Sequence, residues 1–173
     1  MTDLVIRPFE DGDIAGASAA LIEVHATDGY PVEGVEDPKA WLTSDDVLAA
    51  WVAAEEGRVV GHVSVMKPRG EEAVVFWQKQ SGDSQEGIGV LARLFVVRDA
   101  RKRAAGERLM RAAMDYGQRE GRRLVLDVVS KDVAAMRLYE RLGWRKIGEA
   151  VHPYGDGQTI DAVCFVSPDS EAR

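Results

Sequence analysis

The fold is decided by one stretch of the sequence, LFVVRDARKRAAGERLM, which occupies Leu94–Met110. The stretch begins as an apolar run typical of a buried strand and passes into a short turn of basic and small residues. From Ala105 onward, apolar residues recur close to the helical period until Gly121, which takes the position just past a helix end that glycine favours. The stretch therefore predicts a strand, a tight turn and a helix.

The predicted turn has the features of an anion-binding site. The first N–H groups of a helix have no partner within it and carry partial positive charge, so a helix start suits a phosphate. Small residues at Ala104–Gly106 would let a ligand approach the backbone closely. Basic side chains surround the turn, at Arg101, Lys102, Arg103 and Arg108. From these residues alone, a phosphate site and an ordinary basic helix start both remain open.

The turn resembles the cofactor motif of the GCN5-related N-acetyltransferase (GNAT) superfamily, in which Gln/Arg-x-x-Gly-x-Gly/Ala follows a strand. Arg101 and Gly106 occupy the first and last positions of that motif, and Ala104 stands where the family has its middle glycine. Alanine keeps the backbone N–H, so we expect this departure to matter little, provided that Ala104 does not need a positive φ.

A second segment, Asp132–Trp144, resembles the Asn-x-x-Ala-x-x-Leu-Tyr-x-x-x-Gly-Phe segment of the same superfamily. The matching positions are Ala135, Leu138, Tyr139 and Gly143, with Trp144 in place of the phenylalanine. Asp132 replaces the usual asparagine. An ionised aspartate can cap a helix, but it cannot donate a hydrogen bond to the pantetheine arm of a cofactor.

The resemblance implies the GNAT fold, an α/β (α+β) mixed central β-sheet with helices on both faces, as a single domain over residues 1–173. It implies an N-acetyltransferase that uses acetyl-CoA as donor, needs no metal, and moves the acetyl group to a primary amine by direct attack on the thioester. Tyr139 would protonate the departing thiolate, whereas its position on the apolar face of a helix would by itself indicate a core residue. The resemblance assigns the cofactor to Leu94, Phe95, Val96, Arg101, Lys102, Arg103, Ala104, Ala105, Gly106, Glu107 and Asp132.

The general base and the acceptor are not identified by the sequence. Val90 stands where some family members carry a glutamate on the fourth strand. Four other residues are candidates for the base, and each has an ordinary structural or surface role as its alternative: His25, Glu33, His62 and Glu86. Aromatic residues lie in or beside segments that would flank the acceptor pocket, at Tyr30, Trp41, Trp51 and Trp77, and acidic loops near them would favour a cationic amine. Core packing of the tryptophans and ordinary solvation of the acidic residues remain the alternatives, and for any single residue they are preferred.

Composition excludes several other classes of protein. A chain of 173 residues, 46% of them hydrophobic, is sized for one globular domain, and a formal net charge of −7 opposes general nucleic-acid binding. The one cysteine, Cys164, excludes an internal disulfide framework and a multi-cysteine metal site, and it is predicted to be a packed small residue. With neither a signal peptide nor an apolar membrane span, we expect a cytoplasmic protein.

Two alternative functions remain. The first is a catalytically silent acyl-CoA-binding sensor or interaction domain of the same fold. The second is a nucleic-acid-binding protein, which the net charge opposes, using Arg98, Arg101, Lys102, Arg103, Arg108 and Arg111. The expected partner is a small-molecule or protein amine, with no nucleic acid and no membrane, and a homodimer is left open.

The predicted element order is β-α-(α)-β-β-β-α-β-α-β-β. Strands are predicted at residues 4–6, 47–54, 59–66, 88–97, 124–129, 144–151 and 159–166. Asp11 and Asp13 are candidate caps of the first helix. Loops are predicted at 25–38 and 68–87, and single helical turns are predicted at 39–42 and, within the second loop, at about 72–78.

Gly87–Ala92 formally fits a dinucleotide-binding fingerprint but precedes a strand instead of opening a helix, so we reject it.

Overall fold

The computed structural model describes residues 3–31, 36–154 and 157–169. The chain divides into two compact units. The first unit is Met1–Met66 with Leu91–Ala113, and the second is Lys67–Val90 with Met114–Arg173. The prediction of one domain over residues 1–173 stays a prediction.

The elements follow the predicted order with one addition. The strands are β1 (Leu4–Pro8), β2 (Val47–Glu55), β3 (Arg58–Met66), β4 (Ile88–Val96), β5 (Arg123–Val129), β6 (Arg145–Tyr154) and β7 (Gln158–Val166). The α-helices are α1 (Ile14–Asp28), α2 (Pro38–Leu42), α3 (Glu72–Ser81), α4 (Ala105–Arg119) and α5 (Val133–Arg141). Short 3-10 turns occur at Asp11–Asp13, Gln85–Gly87 and Arg98–Arg103.

The strands form a mixed seven-stranded sheet in the order β1-β2-β3-β4-β5-β7-β6. Strands β4 and β5 pair in parallel at Ile88–Val90, whereas the β1–β2, β2–β3, β5–β7 and β6–β7 pairs are antiparallel. A mixed sheet with helices confirms the predicted fold class. Gly87–Ala92 lies largely within β4 and opens no helix, which agrees with our rejection of a dinucleotide fingerprint.

In the first unit, α1 packs on β3, and two glycines permit close approach. A Cβ atom on Gly16 would lie 3.1 Å from Val59 Cγ2, and one on Gly61 would lie 3.1 Å from both Leu109 Cδ1 and the Phe95 carbonyl. These contacts bring the start of α4 and the end of β4 against β3. The carboxylate of Asp13 accepts hydrogen bonds from the two terminal guanidinium nitrogens of Arg7, each at 2.8 Å. These hydrogen bonds lower the pKa of Asp13.

In the second unit, α3 packs against β5, β6 and β7. Gly148 admits the ring of Phe76, because a Cβ atom at Gly148 would lie only 2.6 Å from the ring. Cys164 is fully buried on β7, which confirms that it is a packed small residue, and burial raises its pKa to about 12.

Three local predictions are wrong. Within the predicted loop at 68–87, the helical turn predicted at about 72–78 is a full ten-residue helix, α3, which buries Ala73, Val74 and Trp77. The predicted loop at 25–38 starts too early, since α1 continues to Asp28 and ends at Gly29, whose φ is 72°. Asp13 does not cap α1 with its side chain, because its carboxylate is bound to Arg7 and to the Glu10 N–H.

Candidate functional site

The predicted strand–turn–helix lies within the first unit at the end of β4. The 3-10 turn Arg98–Arg103 follows the strand, and α4 begins at Ala105. The Arg108 N–H donates to the Ala104 carbonyl at 3.0 Å, which is the first hydrogen bond of the helix. The helix therefore offers no acceptor to the N–H groups of Ala105–Glu107, and these groups can bind an anion.

Ala104 has a φ of 59°, in the left-handed region. We expected the replacement of glycine by Ala104 to matter little only if this position did not need a positive φ. The position does have a positive φ, so that condition is not met. A non-glycine residue in this region is strained by roughly 1–2 kcal/mol. The alanine lies between the 3-10 turn Arg98–Arg103 and the first residue of α4.

The basic side chains of the turn are mostly bound to protein acceptors. Arg98 and Arg101 both contact the carboxylate of Asp28, at the end of α1, and Arg101 Nε donates to the Val96 carbonyl at 3.0 Å. Burial by itself would raise the pKa of Asp28, but the hydrogen bonds from Arg101 and Arg98 lower it. The side chains of Lys102 and Arg103 lie outside the described part of the structure. The cofactor role of Arg101, Lys102 and Arg103 stays a prediction.

Strand β4 is distorted next to this turn. Arg93 has a φ of 59°, a left-handed conformation within an otherwise extended strand. Two side chains of β3 bind consecutive carbonyl groups at this point: Ser64 Oγ donates to Ala92 at 3.0 Å, and His62 Nδ1 lies 2.8 Å from the Arg93 carbonyl. The Arg93 guanidinium donates to the Trp41 carbonyl and lies 5.1 Å from the centre of the Trp41 ring. Both the backbone and the side chain of Arg93 are thus held by neighbouring residues.

Of the two roles that the sequence left open for His62, a general base and a structural histidine, the burial of the side chain favours the structural one. The side chain is fully buried and stacks on Phe95 with ring centres 5.3 Å apart. Burial lowers the pKa of His62 to about 4, so the ring is neutral at physiological pH and Nδ1–H donates to Arg93. Its buried Nε2 has no partner within the described residues, and a proton there would be a buried, unpaired charge.

We expect His62 to make the stability of the protein pH-dependent between pH 6.5 and about 4. The unfolded histidine takes up a proton at about pH 6.5, whereas the folded one resists until about pH 4, so the free energy of unfolding falls as pH decreases through this range. The loss is on the order of 3 kcal/mol, from the difference between these two pKa values. Denaturant unfolding at pH 6.5 and 4.5 measures it.

The control for this prediction is His62→Gln, whose amide can donate to the Arg93 carbonyl but does not titrate. This variant should lose much less stability between pH 6.5 and 4.5 than the parent protein. The carboxyls of Asp13 and Asp28 have lowered pKa values, so their contribution disappears only below this window. An equal loss in both proteins would show that other groups cause it.

The other predicted base and pocket residues are scattered. His25 lies half-buried on α1, Glu86 is exposed, and Glu33 lies outside the described residues. Trp41 packs near Tyr30 and Phe95, with ring centres 6.2 and 6.1 Å apart. Trp51 is buried within the first unit. Trp77 is buried in the second unit, where its Nε1 donates to Asp83 at 2.9 Å, so it is a core residue.

Tyr139 lies on α5 in the second unit and is 6% exposed. Its ring lies 6.2 Å from that of Trp144 and 5.9 Å from that of Phe165. Burial, reinforced by the negative charges of Asp132 and Asp127, raises the pKa of Tyr139, so its hydroxyl stays protonated at physiological pH. Asp132 accepts the Ala135 N–H at 3.0 Å, which confirms it as the cap of α5.

The structure also brings together two residues that the sequence did not single out. Nε2 of His152, on β6, contacts the carboxylate of Asp127, on β5, within the second unit. The two residues are 25 positions apart, and neither belongs to a motif. Alternation along each strand could have predicted which side of the sheet each of the two side chains faces. Their contact could not be predicted in this way, because it depends on the order of the strands in the sheet.

Within the described residues, two further features of the structure were candidates for an additional site, a cavity and a metal-binding cluster. A cavity of about 260 Å³ in the second unit is lined by the start of β5, the end of α4 and residues 167–169, and neither Tyr139 nor His152 lines it. In the part of the chain that the structure describes, no cluster of three or more histidine, cysteine, aspartate or glutamate residues could hold a metal ion.

The family assignment rests on most of the chain. Residues 10–144 match the Acetyltransferase (GNAT) family. The protein therefore belongs to the GNAT family of acetyltransferases, as both sequence motifs indicated.

Comparison with single proteins agrees with this assignment. A probable N-acetyltransferase camello from Xenopus tropicalis is 29% identical over 122 residues, which are 67% of this chain and 49% of that protein. The match thus spans about half the length of the relative. A ribosomal-protein-alanine N-acetyltransferase from Brucella melitensis has a similar fold, with a TM-score of 0.74, 20% identity, and coverage of 95% of this chain and 99% of that one. The structure of Arabidopsis thaliana NAA60 in complex with acetyl-CoA gives a TM-score of 0.73 and 21% identity, with coverage of 95% and 97%.

Proposed function

We propose that the protein is an N-acetyltransferase that transfers the acetyl group of acetyl-CoA to a primary amine. The observation that carries the proposal is the start of α4, where three N–H groups without an acceptor in the helix follow a strand and a basic turn in a GNAT chain. The acetyl-CoA bound to a protein of similar fold supports the donor.

In this proposal, the pyrophosphate of CoA binds the backbone N–H groups around Ala104–Glu107. The negative charge is stabilised there by the helix dipole, so the side chains matter less than the main chain. The pantetheine arm runs along the backbone of Leu94, Phe95 and Val96, on the distorted part of β4. Asp132 contributes the cap of α5, and its carboxylate cannot donate to the arm.

Tyr139 acts on the sulfur that leaves. The amine nitrogen attacks the thioester carbon, the C–N bond forms, the C–S bond breaks, and the sulfur departs with the electron pair. The raised pKa of Tyr139 keeps the phenol protonated, but complete transfer of its proton to a thiolate is uphill, because a thiol such as that of cysteine, with a pKa of about 8.5, is the stronger acid. Tyr139 therefore contributes a hydrogen bond that stabilises the thiolate as it forms, and the proton on the finished thiol comes from the amine.

The acceptor class is an amine on a protein or a small molecule, as in other GNAT acetyltransferases. Protein-alanine acetyltransferases among the proteins of similar fold support an amino-terminal amine.

The nucleic-acid alternative has less support, because several arginines of the basic cluster have protein partners. These pairs are Arg98 and Arg101 with Asp28, Arg108 with the Leu4 carbonyl, and Arg111 with Glu107. No helix in the described ranges has both the length and the apolar character that membrane crossing requires.

Titration calorimetry with acetyl-CoA, followed by thiol release with a panel of primary amines, tests the proposal. We expect saturable binding of acetyl-CoA and release of CoA that depends on the added amine. Binding without release would identify the silent acyl-CoA sensor. Absence of binding would overturn the proposal.

A further inference from the structure

The side chain of His62, on β3, holds one peptide group of β4. A backbone carbonyl can only accept a hydrogen bond, so the ring N–H of His62 is on Nδ1, which lies 2.8 Å from the Arg93 carbonyl. The fully buried ring stacks on Phe95 and meets Phe9 edge-on, with ring centres 5.3 and 5.8 Å apart. Packing on both rings therefore keeps this donor in one place.

The hydrogen bond fixes the direction of the next N–H group of β4. In a trans peptide the C=O and N–H groups point in opposite directions, so the Leu94 N–H points away from His62 while the Arg93 carbonyl points toward it. The Val97 N–H donates to the Val60 carbonyl of β3 at 2.8 Å, and alternation along the strand then directs the Leu94 N–H away from β3. The two observations agree on the direction of this N–H group.

The peptide before this one is also turned toward β3. Consecutive carbonyl groups of a regular strand point to opposite sides, yet those of Ala92 and Arg93 both accept a side chain of β3. The left-handed φ of Arg93, 59°, permits this arrangement. Within the described residues, the register of β4 with β5 covers Ile88–Val90 and ends before Leu94. The Leu94 N–H thus points toward an edge of β4 beyond the registered pairing.

The imidazole provides something that an apolar ring of similar size would not. Its buried Nε2 has no partner within the described residues, which is a cost that a phenyl ring would avoid. What the imidazole adds in return is the hydrogen bond from Nδ1 to the Arg93 carbonyl. The function of His62 is therefore to be sought in the peptide group that this bond orients.

This peptide group lies near the thioester in the proposed acetyltransferase, on which the inference rests. The pyrophosphate is proposed to bind at Ala104–Glu107, beyond the end of β4. The pantetheine arm then runs back along the strand, past Val96 and Phe95 to Leu94. Because the sulfur is at the end of the arm opposite to the pyrophosphate, the acetyl group lies at the Leu94 end of this path.

We propose that His62 is a positioning residue that aims the Leu94 N–H at the thioester oxygen of acetyl-CoA. As the amine nitrogen attacks the thioester carbon, an electron pair of the C=O bond moves onto the oxygen, and the Leu94 N–H stabilises this negative charge. When the C=O bond forms again, the C–S bond breaks and the sulfur leaves with its electron pair. His62 gains and loses no proton, and its bond to Arg93 keeps the peptide from turning.

The test uses His62→Phe, because a phenyl ring can keep the contacts with Phe95 and Phe9 but cannot donate to Arg93. Acetyl-CoA is mixed with the amine from the panel that the parent protein acetylates fastest, and single-turnover rates are measured. We expect the chemical step to slow by about 10- to 100-fold, less than the ~10²–10³-fold loss on removing an oxyanion donor outright. Acetyl-CoA affinity, measured by calorimetry, should change little.

An infrared measurement reports the hydrogen bond to the thioester directly. The carbonyl band of bound acetyl-CoA, isotope-labelled at the thioester carbonyl carbon, moves to lower frequency when a donor contacts the oxygen. We expect this band at higher frequency in His62→Phe than in the parent protein. His62→Gln, whose amide can donate to the Arg93 carbonyl, should restore the band and most of the rate. A role in packing alone would not move this band.

Phe9→Leu is the packing control, since it alters the edge contact with His62 but leaves the bond to Arg93 in place, and it should keep the parent rate. A thermal melt shows whether each variant is folded, and His62→Leu is used if the phenyl ring prevents folding. An unchanged rate and band in the folded variant, or equal losses in His62→Phe and His62→Gln, would overturn the role of His62 while leaving the acetyltransferase proposal intact. If the parent protein acetylates no amine, both proposals fail.

Discussion

Replacing Gly106 with glutamate is expected to abolish CoA binding in a protein that remains folded. Gly106 is the second residue of α4, among the N–H groups proposed to hold the pyrophosphate. A carboxylate about 4 Å from a phosphate charge costs roughly 4 kcal/mol at an effective dielectric constant of 20. This repulsion corresponds to a loss of affinity on the order of 1,000-fold. Calorimetry with CoA measures it.

The fold should tolerate this substitution, because an acidic residue in the first turn of a helix interacts favourably with the helix dipole. Ala104→Gly is the matched control, since it changes a neighbouring residue of the turn without adding charge and suits the positive φ of that position. We expect its CoA affinity to fall by no more than a few-fold, far less than the loss in Gly106→Glu, because glycine only makes the turn less preorganised. Unchanged CoA affinity in folded Gly106→Glu would contradict the placement of the pyrophosphate.

Replacing Tyr139 with phenylalanine is expected to slow the chemical step by about 100-fold, the low end for removing one hydrogen-bond donor to a charge that develops in the transition state. The phenyl ring keeps the contacts with Trp144 and Phe165, so acetyl-CoA affinity and folding should change little. Only the hydroxyl near the departing sulfur is removed. Single-turnover measurements with the best amine separate the chemical step from binding and product release.

Tyr116→Phe makes the same chemical change at another tyrosine and should have little effect on the rate. If Tyr139→Phe stays within about a factor of two of the parent rate while chemistry limits turnover, the proposed role is wrong. Tyr139 would then be a core residue of α5, the alternative that its position on the apolar face indicates.

The sequence was most informative where local pattern and motif coincide. The strand, turn and helix at Leu94–Met110 and the cap of α5 were both predictable, because each depends on residues close together in the chain. Only a helical turn was predicted where α3 lies, because its buried residues Ala73, Val74 and Trp77 lie in a polar, glycine-containing stretch. Their burial depends on β5, β6 and β7, which come later in the chain.

The details of the site depend on packing that no local pattern encodes. Apart from the glycine that the family motif has at this position, no residue near Ala104 indicates a positive φ, and the left-handed conformation of Arg93 is supported by side chains of β3. The apolar strand around His62 does not by itself show that the side chain is fully buried, and it is this burial that lowers the pKa of His62. The contact between Asp127 and His152 requires strand β7 to lie between β5 and β6.

The left-handed alanine before α4 has a consequence for how the turn meets a ligand. Glycine at this position would have many backbone conformations available in the unfolded chain and in a loosened turn, whereas alanine has fewer. The strain of Ala104 is present in the folded protein before any ligand arrives. The energetic cost of shaping the turn therefore falls on folding, and less conformational entropy remains to be lost when the ligand binds. In this sense the turn is preorganised.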